Sequence, residues 1–184
     1  MSTGVILARL QPIHNGHLEL IRQALNENEK VLVLVGSADK VDRRNPIPIK
    51  LRVEMAKNAI AEKFAHDAER VTVQQLNDYT DETDNSYDWG FYLYAHIVKF
   101  IESPYFTLYY SDDFQIIMKW FPSFIFSEFV SFKLNARGAI FNALSATKVR
   151  QMIKDNNLEE LRECVPSSVL ENVTLIRHFI NNFE

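Results

Sequence analysis

Residues Gly4–Gly36 read GVILARLQPIHNGHLELIRQALNENEKVLVLVG. Gly4–Leu10 and Lys30–Gly36 are short apolar runs bounded by polar or turn-forming residues, the pattern of strands buried on both faces. Between them His17–Asn28 carries Leu18, Ile21, Ala24 and Leu25 at helical spacing, so the segment reads as a β-α-β unit. A right-handed crossover makes its two strands parallel. Outward from this unit the alternation continues. A helix is predicted from Ile49 to Phe64, with Leu51, Met55, Ala59 and Ile60 on one face, then a strand at Arg70–Leu76. An acidic loop, Asp78–Asp88, precedes an aromatic-rich helix from Trp89 to Ile101 and a strand at Tyr105–Ser111. A helix to Lys119, a β-prone stretch at Ser123–Leu134, a helix beginning at Ser145 and shorter helices between Leu158 and Phe183 follow. The expected fold class is α/β, three layers with a parallel sheet and a C-terminal helical segment. No repeat or linker interrupts residues 1–184, so a single domain is expected, with 158–184 as a candidate helical cap.

The chain is 47% hydrophobic and 24% charged, ordinary values for one globular domain. Twenty basic against 24 acidic side chains give a net charge of -4, which argues against wholesale binding to nucleic acid or an anionic membrane. Any anion site must therefore be local. Cys164 alone allows neither a disulfide framework nor a cysteine metal cluster and fits a reducing compartment. With no basic leader and no long apolar span, a cytoplasmic protein is expected. Glycine stands only at positions 4, 16, 36, 90 and 138, a spacing that excludes a GxGxxG turn and a P-loop.

Ligands of an open parallel sheet bind outside the carboxyl ends of its strands, and three motifs fall on that rim. The first is His14-Asn15-Gly16-His17, at the start of the first helix. Two histidines three apart can turn their imidazoles to one side, next to unpaired backbone N–H groups and the positive end of the helix dipole, a combination suited to phosphate. The bland alternative is that Asn15 caps the helix and both histidines are solvated; a metal site lacks a third ligand nearby. The second motif is GSADKVDRRNPIPIKLR, Gly36–Arg52; between Lys40 and Arg52 it carries Lys40, Arg43, Arg44, Lys50 and Arg52 against one acid, Asp42. The arginine fork matches phosphate oxygens, although an exposed basic loop has the same composition. The third is LSATKVR, Leu144–Arg150, in which Ser145 can cap a helix while Thr147 and Arg150 point outward together. Alone it is an ordinary capped helix. The conjunction of three anion-competent elements on one rim is what favours a nucleotide site.

These motifs resemble the HxGH nucleotidyltransferase superfamily, and within it the nicotinamide mononucleotide (NMN) adenylyltransferases of the archaeal type and the adenylyltransferase half of bacterial NMN adenylyltransferase/Nudix proteins. ARLQPIHNGHL at Ala8–Leu18 is similar to that family's GRFQPFHNGHL, GSADKVDRRNPIPIKLR to its GSA…KNPF…ER segment, and LSATKVR to its ISATEIR. DYTDETDNSYDW at Asp78–Trp89 echoes a shorter family stretch. Ala8 stands in place of the family glycine, and Ile47 in place of the NPF phenylalanine.

The resemblance implies a Rossmann-like nucleotidyltransferase fold and a reaction in which AMP passes from ATP to NMN, giving NAD and pyrophosphate by in-line attack on the α-phosphorus. An attacking phosphate is already anionic, so no general base is needed; positive, well-placed donors are. On this reading His14, His17 and Arg9 are catalytic, and Gly16, Ser145, Thr147, Arg150 and Arg44 bind ATP. Gly36, Ser37, Asn85, Trp89 and Arg52 take the acceptor, with Trp89 stacking on the nicotinamide ring or, alternatively, serving as a core aromatic of its helix. Mg²⁺ is expected on the ATP phosphates rather than on a protein carboxylate cluster. The alternatives are a cytidylyltransferase or an adenylyltransferase with another phosphate acceptor, and a regulatory nucleotide-binding module without turnover. LSATKVR lacks the RTxGxST-type signature usual in cytidylyltransferases of this superfamily. Phe121, Phe124, Phe126, Phe129 and Phe132 are dense enough to suggest a homo-oligomer contact beside their packing role.

Overall fold

A computed structural model describes residues 1–80, 87–110, 114–122, 126–134 and 144–183. Along the chain run β1 (Thr3–Ala8), α1 (Asn15–Glu27), β2 (Lys30–Val35), α2 (Ile49–Lys63) and β3 (Val71–Gln75). There follow α3 (Tyr87–Ile97), β4 (Phe106–Tyr110), α4 (Phe114–Trp120) and β5 (Val130–Leu134). The last elements are α5 (Ala146–Lys154), α6 (Leu158–Cys164), α7 (Ser167–Leu170) and α8 (Val173–Asn181). Each lies close to its predicted position, with one marked exception. Of the β-prone stretch Ser123–Leu134, residues 123–125 lie outside the described residues and the strand covers Val130–Leu134, because Phe126 closes a turn, accepting through its carbonyl from the Phe129 N–H.

The sheet is parallel throughout, in the order β3-β2-β1-β4-β5. The central strands β1 and β2 show no polar alternation because both of their faces are covered. Val31, Val33 and Val35 of β2 and Ile6 of β1 join an apolar layer with α1, α2 and the helices from α5 onward. Leu32, Leu34 and Val5, one residue out of phase, join a second layer with α3 and α4. Leu161, Val165, Val169, Ile176 and Ile180, from the segment expected as a cap, are buried in the first layer. Phe121 and Phe126 are buried in the second, packed edge to face at 5.1 Å. Those two rings are thus taken up within the chain rather than offered to another subunit; Phe124 lies outside the described residues. Among the described residues no helix is long and apolar enough to cross a membrane.

Where α3 crosses α4, a Cβ added to Gly90 would stand 1.7 Å from the carbonyl oxygen of Trp120. Backbone, not a flexible side chain, blocks that space. Gly90→Ala is expected to force the helices apart and cost about 1–3 kcal/mol, the usual range for overpacking; urea titration measures it, and an unchanged midpoint would contradict so close a contact.

The strand order reverses between β1 and β4, since the chain places β2 and β3 on one side of β1 and then returns to place β4 and β5 on the other. A crevice opens at such a switch point, beyond the carboxyl ends of the two central strands.

Candidate active site

A cavity of about 280 Å³ occupies this crevice. Arg9, Leu10 and Gln11 from the end of β1 line it together with Tyr109 and Tyr110 from the end of β4. His17, Arg44, Trp120, Ser145, Thr147 and Arg150 also belong to the wall. The three motifs, spread over more than a hundred residues of the chain, thus meet at one place.

The histidine turn is built differently from a simple exposed pair. His14 is the N-cap of α1 and is 3% exposed, and its ring stacks on that of His17 at 3.7 Å. The backbone N–H of His14 donates to Nδ1 of His17 at 3.2 Å. A ring nitrogen that accepts must be unprotonated, so the N–H that neutral His17 offers is on Nε2. His17 therefore lines the cavity with His14 packed behind it. Asn15 is not the cap; its side-chain amide donates to the carbonyl of Glu163 at 3.0 Å and ties the turn to the end of α6. Gly16 is half-buried in the first turn of α1.

At the start of α5 the sequence expectation for local structure holds. Ser145 is the N-cap, its hydroxyl accepting from the Lys148 N–H at 3.2 Å. One turn on, Arg150 donates through Nη1 to the carbonyl of Gln11 at 2.8 Å and through Nη2 to the Thr147 hydroxyl at 3.3 Å. Burial, and after it the charge of Arg9, lowers the Arg150 pKa below its ordinary value. Two guanidinium groups thus repel across the cavity. Among the described residues no carboxylate forms a salt bridge with Arg9, Arg44 or Arg150. Such a cluster of positive charge gives this wall a local positive potential. Arg150→Lys, which gives up the fork that holds Gln11 and Thr147 at once, is expected to weaken binding of inorganic tripolyphosphate, a polyanion probe, roughly tenfold. Calorimetry tests this, and an unchanged affinity would show that the Arg150 fork does not serve the cavity.

Arg44 is carried on a tight turn. Asp42 accepts through Oδ1 from the backbone N–H groups of Arg44 at 2.7 Å and Asn45 at 2.8 Å. Burial acts to raise the Asp42 pKa, but these bonds and the Asn45 side-chain amide outweigh it and hold the carboxyl below its ordinary value.

Two of the residues expected on the acceptor side do not line this cavity. Arg52 is fully buried. Its guanidinium donates to the carbonyls of Arg9 and Gly36 at 2.8 Å each, and of Ser37 at 2.9 Å. It is a brace behind the rim that pins the ends of β1 and β2 together. Burial, followed by the charge of Arg9, pushes its pKa down to about 10, so it stays protonated at neutral pH. Trp89 is 9% exposed and packs edge-on against Trp120, with ring centroids 6.1 Å apart, inside the second apolar layer. Of the two, Trp120 is the one lining the cavity. Gly36 and Ser37 follow β2, and there Ser37 takes a left-handed φ of 48° and donates its hydroxyl to Asp78 at 3.0 Å. Asn85 lies outside the described residues. Sequence reading passed over Gln11, Asp42, Tyr110 and Trp120. Only Asp42, the lone acid in a basic run, carried a local signal.

With the fold and the wall of the cavity in view, comparison with known proteins gives one answer. A model of the cytidylyltransferase-like family matches residues 9–152, and the chain belongs to that family. The nicotinamide-nucleotide adenylyltransferase of Thermococcus sibiricus is 31% identical over 181 residues, covering 95% of this chain and 84% of the relative. Nicotinamide-nucleotide adenylyltransferase 1 of Sulfolobus acidocaldarius is 26% identical over 172 residues, covering 92% and 87%. Among solved structures, a bifunctional NMN adenylyltransferase/ADP ribose pyrophosphatase from Francisella tularensis shares the fold, with a TM-score of 0.66 at 21% identity over 84% of this chain. The match spans 42% of the Francisella chain, which has also been solved with AMP and a manganese ion.

Proposed function

We infer that the protein is a nucleotidyltransferase that passes AMP from ATP to nicotinamide mononucleotide, with NAD and pyrophosphate as products. The observation that carries this reading is the 31% identity to a nicotinamide-nucleotide adenylyltransferase across 95% of the chain. The cavity supports it with chemistry suited to the task, since the guanidinium groups of Arg9, Arg44 and Arg150 line it together with His17.

In the reaction a phosphate oxygen of NMN forms a bond to the α-phosphorus of ATP, and the bond from that phosphorus to the bridging oxygen of the β-phosphate breaks. The electron pair leaves with pyrophosphate. The barrier lies in bringing two anions together and in stabilising charge on the transferring group. His17 donates from Nε2 to the α-phosphate, and Arg9 offsets charge on ATP and the incoming phosphate. Arg44, Ser145, Thr147 and Arg150 hold the β- and γ-phosphates, the last two already oriented by their mutual hydrogen bond. His14 acts from behind, through its stack on His17. The acceptor is taken near Gly36 and Ser37, at the carboxyl end of β2. Among the described residues no group of three or more His, Cys, Asp or Glu side chains converges as metal ligands. The divalent ion, Mg²⁺ in this reading, accordingly enters on the phosphates of the ATP substrate.

The test is incubation with Mg²⁺, each nucleoside triphosphate and a panel of phosphate acceptors, with pyrophosphate and dinucleotide followed chromatographically. NAD formed from ATP and NMN is the expected result. Product with CTP, or with another acceptor in preference to NMN, would overturn the substrate assignment. Tight ATP binding without pyrophosphate release would leave a binding module.

A further inference from the structure

Gln11 is 2% exposed and stands between the end of β1 and the histidine turn. Its side-chain Oε1 accepts from the Ile47 N–H at 3.0 Å, and its Nε2 donates to the Ile47 carbonyl at 3.2 Å. The amide thus behaves as one rung of a β-ladder supplied by a side chain. Ile47 is fully buried between Pro46 and Pro48, neither of which has an N–H. It carries the only backbone donor of that tripeptide, and without Gln11 both of its buried polar groups would lose these partners.

The clamp controls where the basic loop sits. Immediately before it lies the Asp42–Asn45 turn, closed by reciprocal backbone hydrogen bonds between Asp42 and Asn45 at 3.0 and 3.3 Å. Arg44 rides on this turn and reaches the cavity. The backbone carbonyl of the same Gln11 accepts from Arg150. One buried residue therefore sets the positions of two guanidinium groups that come from segments more than a hundred residues apart. We propose that Gln11 is a positioning residue for the triphosphate, acting chiefly through Arg44, with the amide clamp on Ile47 as its means. This rests on the reading of Arg44 as an ATP ligand.

The experiment is a double-substitution cycle in the full-length chain, reading Mg·ATP affinity by calorimetry without acceptor present. Gln11→Met keeps the volume and the backbone carbonyl while removing the amide. Gln11→Met and Arg44→Ala are each expected to weaken ATP roughly tenfold. The double variant is expected to lose about 10–20-fold rather than about 100-fold, because an arginine already displaced has little left to lose. KM for NMN in Gln11→Met stays within about twofold of the unsubstituted enzyme, which general loosening of the fold would not allow. Should Gln11→Met fail to fold, Gln11→Asn, one methylene too short to reach Ile47, carries the same cycle. Multiplicative losses, undiminished ATP affinity in a folded Gln11 variant, or no effect of Arg44→Ala would each overturn the proposal. Failure of the protein to make NAD would instead strike the acceptor assignment and leave the ATP cycle readable.

Discussion

Replacing His17 with alanine is expected to lower turnover by roughly 10²–10³, the loss that follows removal of one preorganised donor to a transition state. The effect should fall mainly on kcat, since charge on the transferring phosphate grows between the ground state and the transition state. The geometry makes the expectation specific. His17 Nδ1 is held by the His14 N–H, which fixes both the ring and its tautomer and leaves Nε2–H as the donor. The same bond means that alanine also removes a cap partner, at about 1 kcal/mol of stability. A melting temperature lower by roughly 2–4 °C should accompany the loss. His17→Gln can accept from the same N–H and still donate, so it should recover stability and part of the rate. Turnover of His17→Ala within about threefold of the unsubstituted enzyme would refute the assignment.

The second large effect is on folding. Arg52→Met takes its donor from the carbonyls of Arg9 and Gly36, part-buried and buried, while the Ser37 carbonyl keeps only the Lys40 N–H at 3.3 Å. Each unsatisfied group costs about 1–3 kcal/mol, partly recovered where the rim relaxes and admits water, so a loss of roughly 3–5 kcal/mol is expected. At this chain length that corresponds to a melting temperature roughly 10–15 °C lower. Arg52→Lys keeps the charge but not the planar fork and should fall between the two. Chemical denaturation with calorimetry measures the series. Melting of Arg52→Met within about 2 °C of the unsubstituted protein would show that the brace is dispensable.

Arg52 also shows where reading the sequence goes astray. In the string Lys50-Leu51-Arg52 it looks like part of a solvated charge run feeding a ligand. Helical spacing held a contrary sign, since Arg52, Ala56 and Ala59 or Ile60 fall on one stripe of α2 and are all buried. What periodicity does not reveal is the set of carbonyls waiting at the end of that stripe, because two of them belong to the left-handed turn after β2 and its neighbour, and one to the loop after β1. The tryptophans make the same point. Trp89 and Trp120 are equally aromatic in sequence, and only the crossing of α3 over α4 decides which one reaches the cavity. By contrast the first β-α-β unit, the Ser145 cap and the meeting of the three motifs were legible, because each rests on local spacing or on the general rule for parallel sheets. Gln11 gave no signal at all. A single polar residue in a loop acquires its meaning from a partner 36 positions away.

The two apolar layers on either side of the sheet divide the cavity between them. Arg9, His17, Arg44, Thr147 and Arg150 are mounted on elements anchored in the layer of α1, α2 and α5, through neighbours such as Leu10, Leu18, Ile47 and Val149. Leu7, Leu108, Tyr110, Ile117 and Trp120 of the same wall belong to the opposite layer. The charged side chains of the wall and its apolar surface thus have separate foundations in the fold. A substitution that loosens the aromatic layer is expected to leave the footing of the charged side chains in place.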